Sequence, residues 1–114
     1  MGQGARVVLV NVSKHNVVIA TADEDWIKEK NDLGGVMRPG EARNNGYFEY
    51  ADLHTGHMTI SGSAEGKNSR VQLGFEELEI MADRTITESD LLSLTIAKSV
   101  YLDQSTFVMV FHDR

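Results

Sequence analysis

Cysteine is absent from this 114-residue chain, which rules out disulfides, thiol nucleophiles and thiolate metal sites together. That absence fits a cytoplasmic protein, or one released without a signal peptide. Long apolar runs are also missing: none nears the roughly 18 residues that a membrane-spanning helix needs, and "VVLV" is too short for the apolar region of a signal peptide. Basic residues are the minority, 11 Lys and Arg against 17 Asp and Glu, for a formal net charge of -6. They are scattered singly, whereas phosphate contacts need them clustered, so no nucleic-acid partner is expected. The same charge gives no general attraction to anionic lipid, and any membrane binding has to be headgroup-specific or apolar. "MGQGAR" opens like a myristoylation signal but places Arg6 where Ser or Thr is required. Proline occurs once, as Pro39, and tryptophan once, as Trp26.

What is present is mainly short, β-branched and aromatic segments separated by turn formers. "RVVLVNV" and "VVIAT" flank the polar cluster Ser13 to Asn16 and read as a hairpin. "DEDWIKEKNDLGG" reads as a loop. Arg38-Pro39-Gly40-Glu41 marks a type II turn, since Pro39 presets its own φ and Gly40 can take a positive one. Asn44-Asn45-Gly46 signals another turn before the strand "YFEYADL", on which Tyr47 and Glu49 share one face and Phe48 points inward. "HMTISGS" puts Met58 and Ile60 on one side, Thr59 and Ser61 on the other. "RVQLGFEELEIMA" aligns Val71, Leu73 and Phe75, and extends to Leu78 and Ile80 if a β-bulge lies near Gly74 to Glu77.

Residues 87–98 are ambiguous. Thr87 and Asp90 imitate a helical capping box, while Leu92, Leu94 and Ile96 alternate as on a strand, the form favoured here. "STFVMVFH" suits a strand buried on both faces. The expectation is one domain spanning 1–114, all-β, an antiparallel β-sandwich of about seven or eight short strands, with one short helix near 87–98 as the alternative.

Few constellations carry chemistry. "GSAEGKNS" fails as a phosphate-binding loop: its first glycine is one residue too close, and Asn68 replaces the hydroxyl that would hold magnesium. A solvated hairpin loop accounts for it better. His54 and His57, with Asp52, would converge on a divalent metal if Thr55-Gly56 turned the chain, but a polar hairpin tip explains them more simply, since residues three apart on an extended chain point to opposite faces. The acids before Trp26 lack the spacing of an EF-hand. No G-x-S-x-G nucleophile elbow occurs, and neither His15 nor His112 has a neighbouring acid apart from Asp113. A non-enzymatic protein without a cofactor is expected.

"VNVSKHNVVIATADEDWIK", Val10 to Lys28, followed by "RPGE", Arg38 to Glu41, resembles the start of the aegerolysins, small acidic β-sandwich proteins. The resemblance covers about the first third of the chain; the tryptophans and cysteines of that family's later part have no counterpart here. It implies recognition of membrane lipids such as sphingolipids, and it marks Trp26 and Lys28 as contacts. Beside it, the residues themselves suggest a binding module whose loop aromatics, Trp26, Tyr47 and Tyr50, stack on a lipid headgroup or a glycan. Two alternatives stand against it: a self-assembling β-domain that forms a homo-oligomer through strand edges, and a small metal-dependent hydrolase built on Asp52, His54 and His57.

Overall fold

Period-two alternation marks most of the longer strands. The computed structural model describes residues 3–25, 27–31, 33–50, 56–76, 79–101 and 104–114, and among these it contains ten strands and no helix. They are β1 (Gln3–Asn11), β2 (Val17–Asp25), β3 (Ile27–Lys30), β4 (Gly35–Met37), β5 (Ala42–Tyr50), β6 (Gly56–Ala64), β7 (Lys67–Glu76), β8 (Glu79–Thr87), β9 (Leu92–Tyr101) and β10 (Gln104–Asp113).

Two sheets form, in the orders β3-β5-β1-β10-β9 and β4-β2-β6-β7-β8. Their inner faces share one core. Val7, Leu9, Phe107, Met109 and Phe111 enter it from the first sheet, and Val17, Ile19, Met58, Ile60 and Leu73 from the second. The radius of gyration, 13.4 Å, is that of a compact chain of this length.

All neighbours are antiparallel except β1 and β10, which run parallel from Ala5 opposite Ser105 to Asn11 opposite Phe111. This corrects the wholly antiparallel expectation. A parallel pair needs a long crossover, and here nearly the whole chain serves as one, joining the first strand to the last.

The hairpin expected at Ser13 to Asn16 is also corrected, because β1 and β2 belong to different sheets. The turn between them is organised by Asn11, which is fully buried. Its Nδ2 donates to the carbonyls of His15 (2.8 Å) and Met37 (3.1 Å), while its Oδ1 accepts from Ser13 N (3.0 Å) and Ser13 Oγ (2.6 Å). Its backbone donates to Glu41 O and accepts from Gly40 N, linking the turn to Pro39-Gly40. There Glu41 N donates to Arg38 O at 3.0 Å and Gly40 has a φ of 83°, the type II turn that the Pro-Gly pair predicts.

Most of the segment expected to loop between Asp23 and Gly35 is extended, as the end of β2 and all of β3. A polar strand on a sheet edge needs no apolar alternation, so the pattern does not announce it. Asn44-Asn45-Gly46 makes no turn. It lies inside β5, where Val7 pairs with Gly46 but Leu9 pairs with Arg43, so the extra residue is absorbed as a bulge. "RVQLGFEELEIMA" is two strands, β7 and β8, paired through Glu76 and Glu79, although a register irregularity does occur beside Gly74. Glu77 and Leu78 lie outside the described residues, and no Gly, Pro, Asn or Asp stands there to signal the reversal. "GSAEGKNS" is a hairpin, but its loop is shorter than expected: Glu65 and Gly66, with φ of 51° and 78°, form a two-residue turn, and the residues on either side belong to β6 and β7, with Gly62 and Ser69 buried.

No helix forms at 87–98. Leu92 and Leu94 are buried and Ile96 packs against the core, a one-sided burial that a helical period would break. Glu88 supports the strand start, its Oε2 accepting from Ser93 Oγ and Leu94 N, both at 2.6 Å. Along β10 only one face reaches the core: Phe107, Met109 and Phe111 are buried, Val108 and Val110 half-buried.

The Ser93 hydroxyl, the Leu94 amide and the nearby Arg114 hold the Glu88 carboxyl below its ordinary value of 4.5. A lowered folded-state value means that its contribution to stability is present above pH 4.5 and is lost as pH falls through the lowered value. Melting temperature should therefore drop on acidification below that point, and Glu88→Gln should flatten part of the drop. Glu41 and Asp90, lowered by hydrogen bonds from Arg43 and Lys67 respectively, leave the remaining slope. Thermal melts of wild type and variant from pH 6 to pH 3 check this; identical acid slopes would contradict it.

Candidate functional site

The outward face of the second sheet carries a row of polar side chains opposite its apolar inner face. Because Met58 and Ile60 point to the core, Thr59 and Ser61 point away from it, and the register places Thr59 opposite Gln72 and Ser61 opposite Arg70. On the other flank, Ala22 pairs with Thr59 and Ala20 with Ser61, so small side chains leave the row open.

β2 is irregular between Ala22 and Asp25. Inside that irregularity Asp23 has a φ of 52°, a left-handed conformation that costs a non-glycine residue about 1 kcal/mol or more. Asp23 Oδ2 accepts a hydrogen bond from Thr59 Oγ1 at 3.3 Å. Asp23, Thr59, Arg70 and Gln72 together line an open concavity of about 140 Å³. Its floor is Thr59, only 7% exposed although it lies on the solvent side of the sheet. The lining offers a carboxylate acceptor, a guanidinium donor, an amide that does both, and a hydroxyl. The volume is well below the roughly 300–1,000 Å³ of drug-sized sites, and suits a single small polar group.

The residues singled out in the sequence are distributed unevenly around this concavity. Trp26, Asp52 and His54 lie outside the described residues, while Lys28 on β3 and Tyr50 on β5 are described by their backbone alone. The register nonetheless brings their chain neighbours to one end of the molecule. Asp25 pairs with His57, Ile27 pairs with Tyr50, and the concavity begins at the next pair inward, Ala22 with Thr59. Tyr47 is elsewhere. It is on the outer face of the first sheet, its hydroxyl donates to Glu49 Oε2 at 3.0 Å, and its ring lies so close over Gly4 that an added Cβ there would sit 2.9 Å from the Tyr47 oxygen.

Sequence reasoning missed Asp23, Thr59, Arg70 and Gln72 as a group. The alternation of "HMTIS" shows Thr59 facing outward, but no signal in the chain shows that β7 sets Gln72 and Arg70 beside it.

At the opposite end, the fold brings His15 between two carboxylates, Nδ1 at 3.9 Å from Glu65 and Nε2 at 3.7 Å from Asp113. The nearest hydroxyl in sequence, Ser13, is buried and donates to Asn11, so this cluster presents no free nucleophile of its own turn. His112 instead shares a hydrogen bond with Thr95 at 2.9 Å. Among the described residues no three His, Asp or Glu side chains gather to hold a metal, and no helix is long and apolar enough to cross a membrane. Comparisons of the chain with protein-family models, with curated proteins and with solved structures find no match.

Proposed function

We propose that this chain is a non-enzymatic binding module of β-sandwich architecture that holds a sugar ring, free or carried as a lipid headgroup, at one end of the second sheet. One observation carries the reading: a small polar concavity, lined by Asp23, Thr59, Arg70 and Gln72, opens on a sheet face beside the strand ends that flank Trp26. Mixed donors and acceptors in a concavity of this size match the hydroxyls on one side of a sugar ring. Such rings also stack on aromatic faces, which makes Trp26, next in the chain to Asp25, the residue to test for that contact. The resemblance to aegerolysins points the same way, toward recognition at a membrane surface through Trp26 and Lys28.

Self-association through strand edges is the competing reading, and three of the four edge strands, β3, β4 and β9, oppose it. β3 and β4 have four and three residues, and Arg43 caps the carbonyls of Gly34 and Val36 beside β4. On β9, Lys98 falls at the same parity as the core-facing leucines, a placement of charge that discourages edge pairing.

Because Trp26 is the sole tryptophan, its fluorescence reports on this end alone. Titration with a panel of methyl glycosides and with glycolipid vesicles should shift its emission to the blue and reduce acrylamide quenching for at least one ligand. An emission spectrum that no sugar and no vesicle alters, together with failure to retain the protein on immobilised glycans, would overturn the proposal.

A further inference from the structure

Resting on that reading, we infer that the sugar the concavity takes is a singly charged acidic one, a uronate or sialate type, with its carboxylate on Arg70. The chain has an excess of acids, and four of its cations pair with them: Lys30 with Glu24, Arg43 with Glu41, Lys67 with Asp90 and Arg114 with Glu88. Arg70 is the cation that lines the concavity. Arg70 is exposed and makes no ion pair with any carboxylate whose side chain is described, although Asp23 lines the same concavity. The guanidinium and the carboxylate are thus kept as separate walls of one cup, with Thr59 donating to Asp23 in place of the arginine.

That division suits a ligand with an anionic group at one side and hydroxyls at the other. A planar guanidinium takes a carboxylate through two parallel hydrogen bonds, and Gln72 lies next along β7 to hold a ring oxygen or hydroxyl. Asp23, left without a cation, accepts from sugar hydroxyls. Polyanions are disfavoured on the same grounds, because Asp23 brings a like charge into the concavity, Glu24 and Asp25 follow it in the chain, and the volume is small.

Calorimetric or NMR titration with methyl glucuronide and methyl glucoside separates charge from ring, and N-acetylneuraminate tests the second acidic class. The acidic sugars should bind at least about tenfold more tightly than the neutral one, with the difference shrinking as salt is raised. Arg70→Gln should abolish the preference, lowering the affinity for acidic sugars at least about tenfold more than that for the neutral one. Arg70→Lys should restore part of it, and Asp23→Asn should weaken acidic and neutral sugars alike. Arg70 is exposed, so unchanged melting temperatures confirm that its variants fold. Vesicles bearing ganglioside, against free N-acetylneuraminate, distinguish a lipid-borne source from a free one. Equal affinity for the two methyl glycosides, or a preference that survives Arg70→Gln, would overturn the charge assignment while leaving the binding-module reading intact. Binding of neither sugar class would overturn both.

Discussion

Replacing Asn11 by alanine should destabilise the protein by about 3 kcal/mol or more, since each buried polar group left without a partner costs roughly 1–3 kcal/mol. The amide satisfies four groups at once: the carbonyls of His15 and Met37, and the backbone and hydroxyl of Ser13. Alanine removes all four bonds from a site that water does not reach, because Asn11 is 0% exposed. The affected turn is the one that carries the chain from the first sheet to the second, so its loosening also frees the Pro39-Gly40 turn bound to the same residue. Asn11→Asp is the informative companion. It keeps acceptance from Ser13 but turns two donations into repulsion against carbonyls, and should be at least as damaging. Urea unfolding measures both, and a loss below about 1 kcal/mol for Asn11→Ala would show that the network is dispensable.

The second large effect concerns a tight contact between the two sheets. Phe111 of β10 lies against Gly62 of β6 so tightly that an added Cβ would be 2.5 Å from Phe111 Cε1 and 2.7 Å from Val17 Cγ1. Phe111→Ala empties that contact and should cost about 3–5 kcal/mol. Gly62→Ala overfills it, at a cost of about 1–3 kcal/mol. Because one volume is at issue, combining Gly62→Ala with Phe111→Ala should cost less than the sum of the two single changes, by roughly 0.5–3 kcal/mol. Denaturant midpoints for the four proteins of this cycle decide it, and strict additivity would mean that the sheets separate enough to make the contact irrelevant.

Several elements were legible before any coordinates because their cause is local. Pro39 and Gly40 can hardly form anything but a turn. Met58 and Ile60 face the core because they alternate with Thr59 and Ser61, and Leu92, Leu94 and Ile96 do the same on β9, where the capping-box imitation of Thr87 and Asp90 lost to alternation. Misreadings arose where a local signal had two structural outcomes. Asn44-Asn45-Gly46 became a bulge because the strand pairing on both sides continued through it, with Gly46 buried so closely under Val7 that its missing Cβ is required. Glu76 to Glu79 became a reversal with no turn former to mark it. The concavity was legible only in halves: Thr59 by its parity, Asp23 and Arg70 as charges with no visible relation.

By itself the sequence determined the all-β class, most strand faces, the Pro-Gly turn and the absence of thiol chemistry, because each depends on residue type or on spacing within a few positions. Tertiary structure alone decided that β1 and β10 run side by side, that the first turn changes sheets, and that Asp23, Thr59, Arg70 and Gln72 meet. Those outcomes depend on which strand pairs with which and in what register. That choice is made by the shared burial of both inner faces, a property of the whole core that no short window of residues contains.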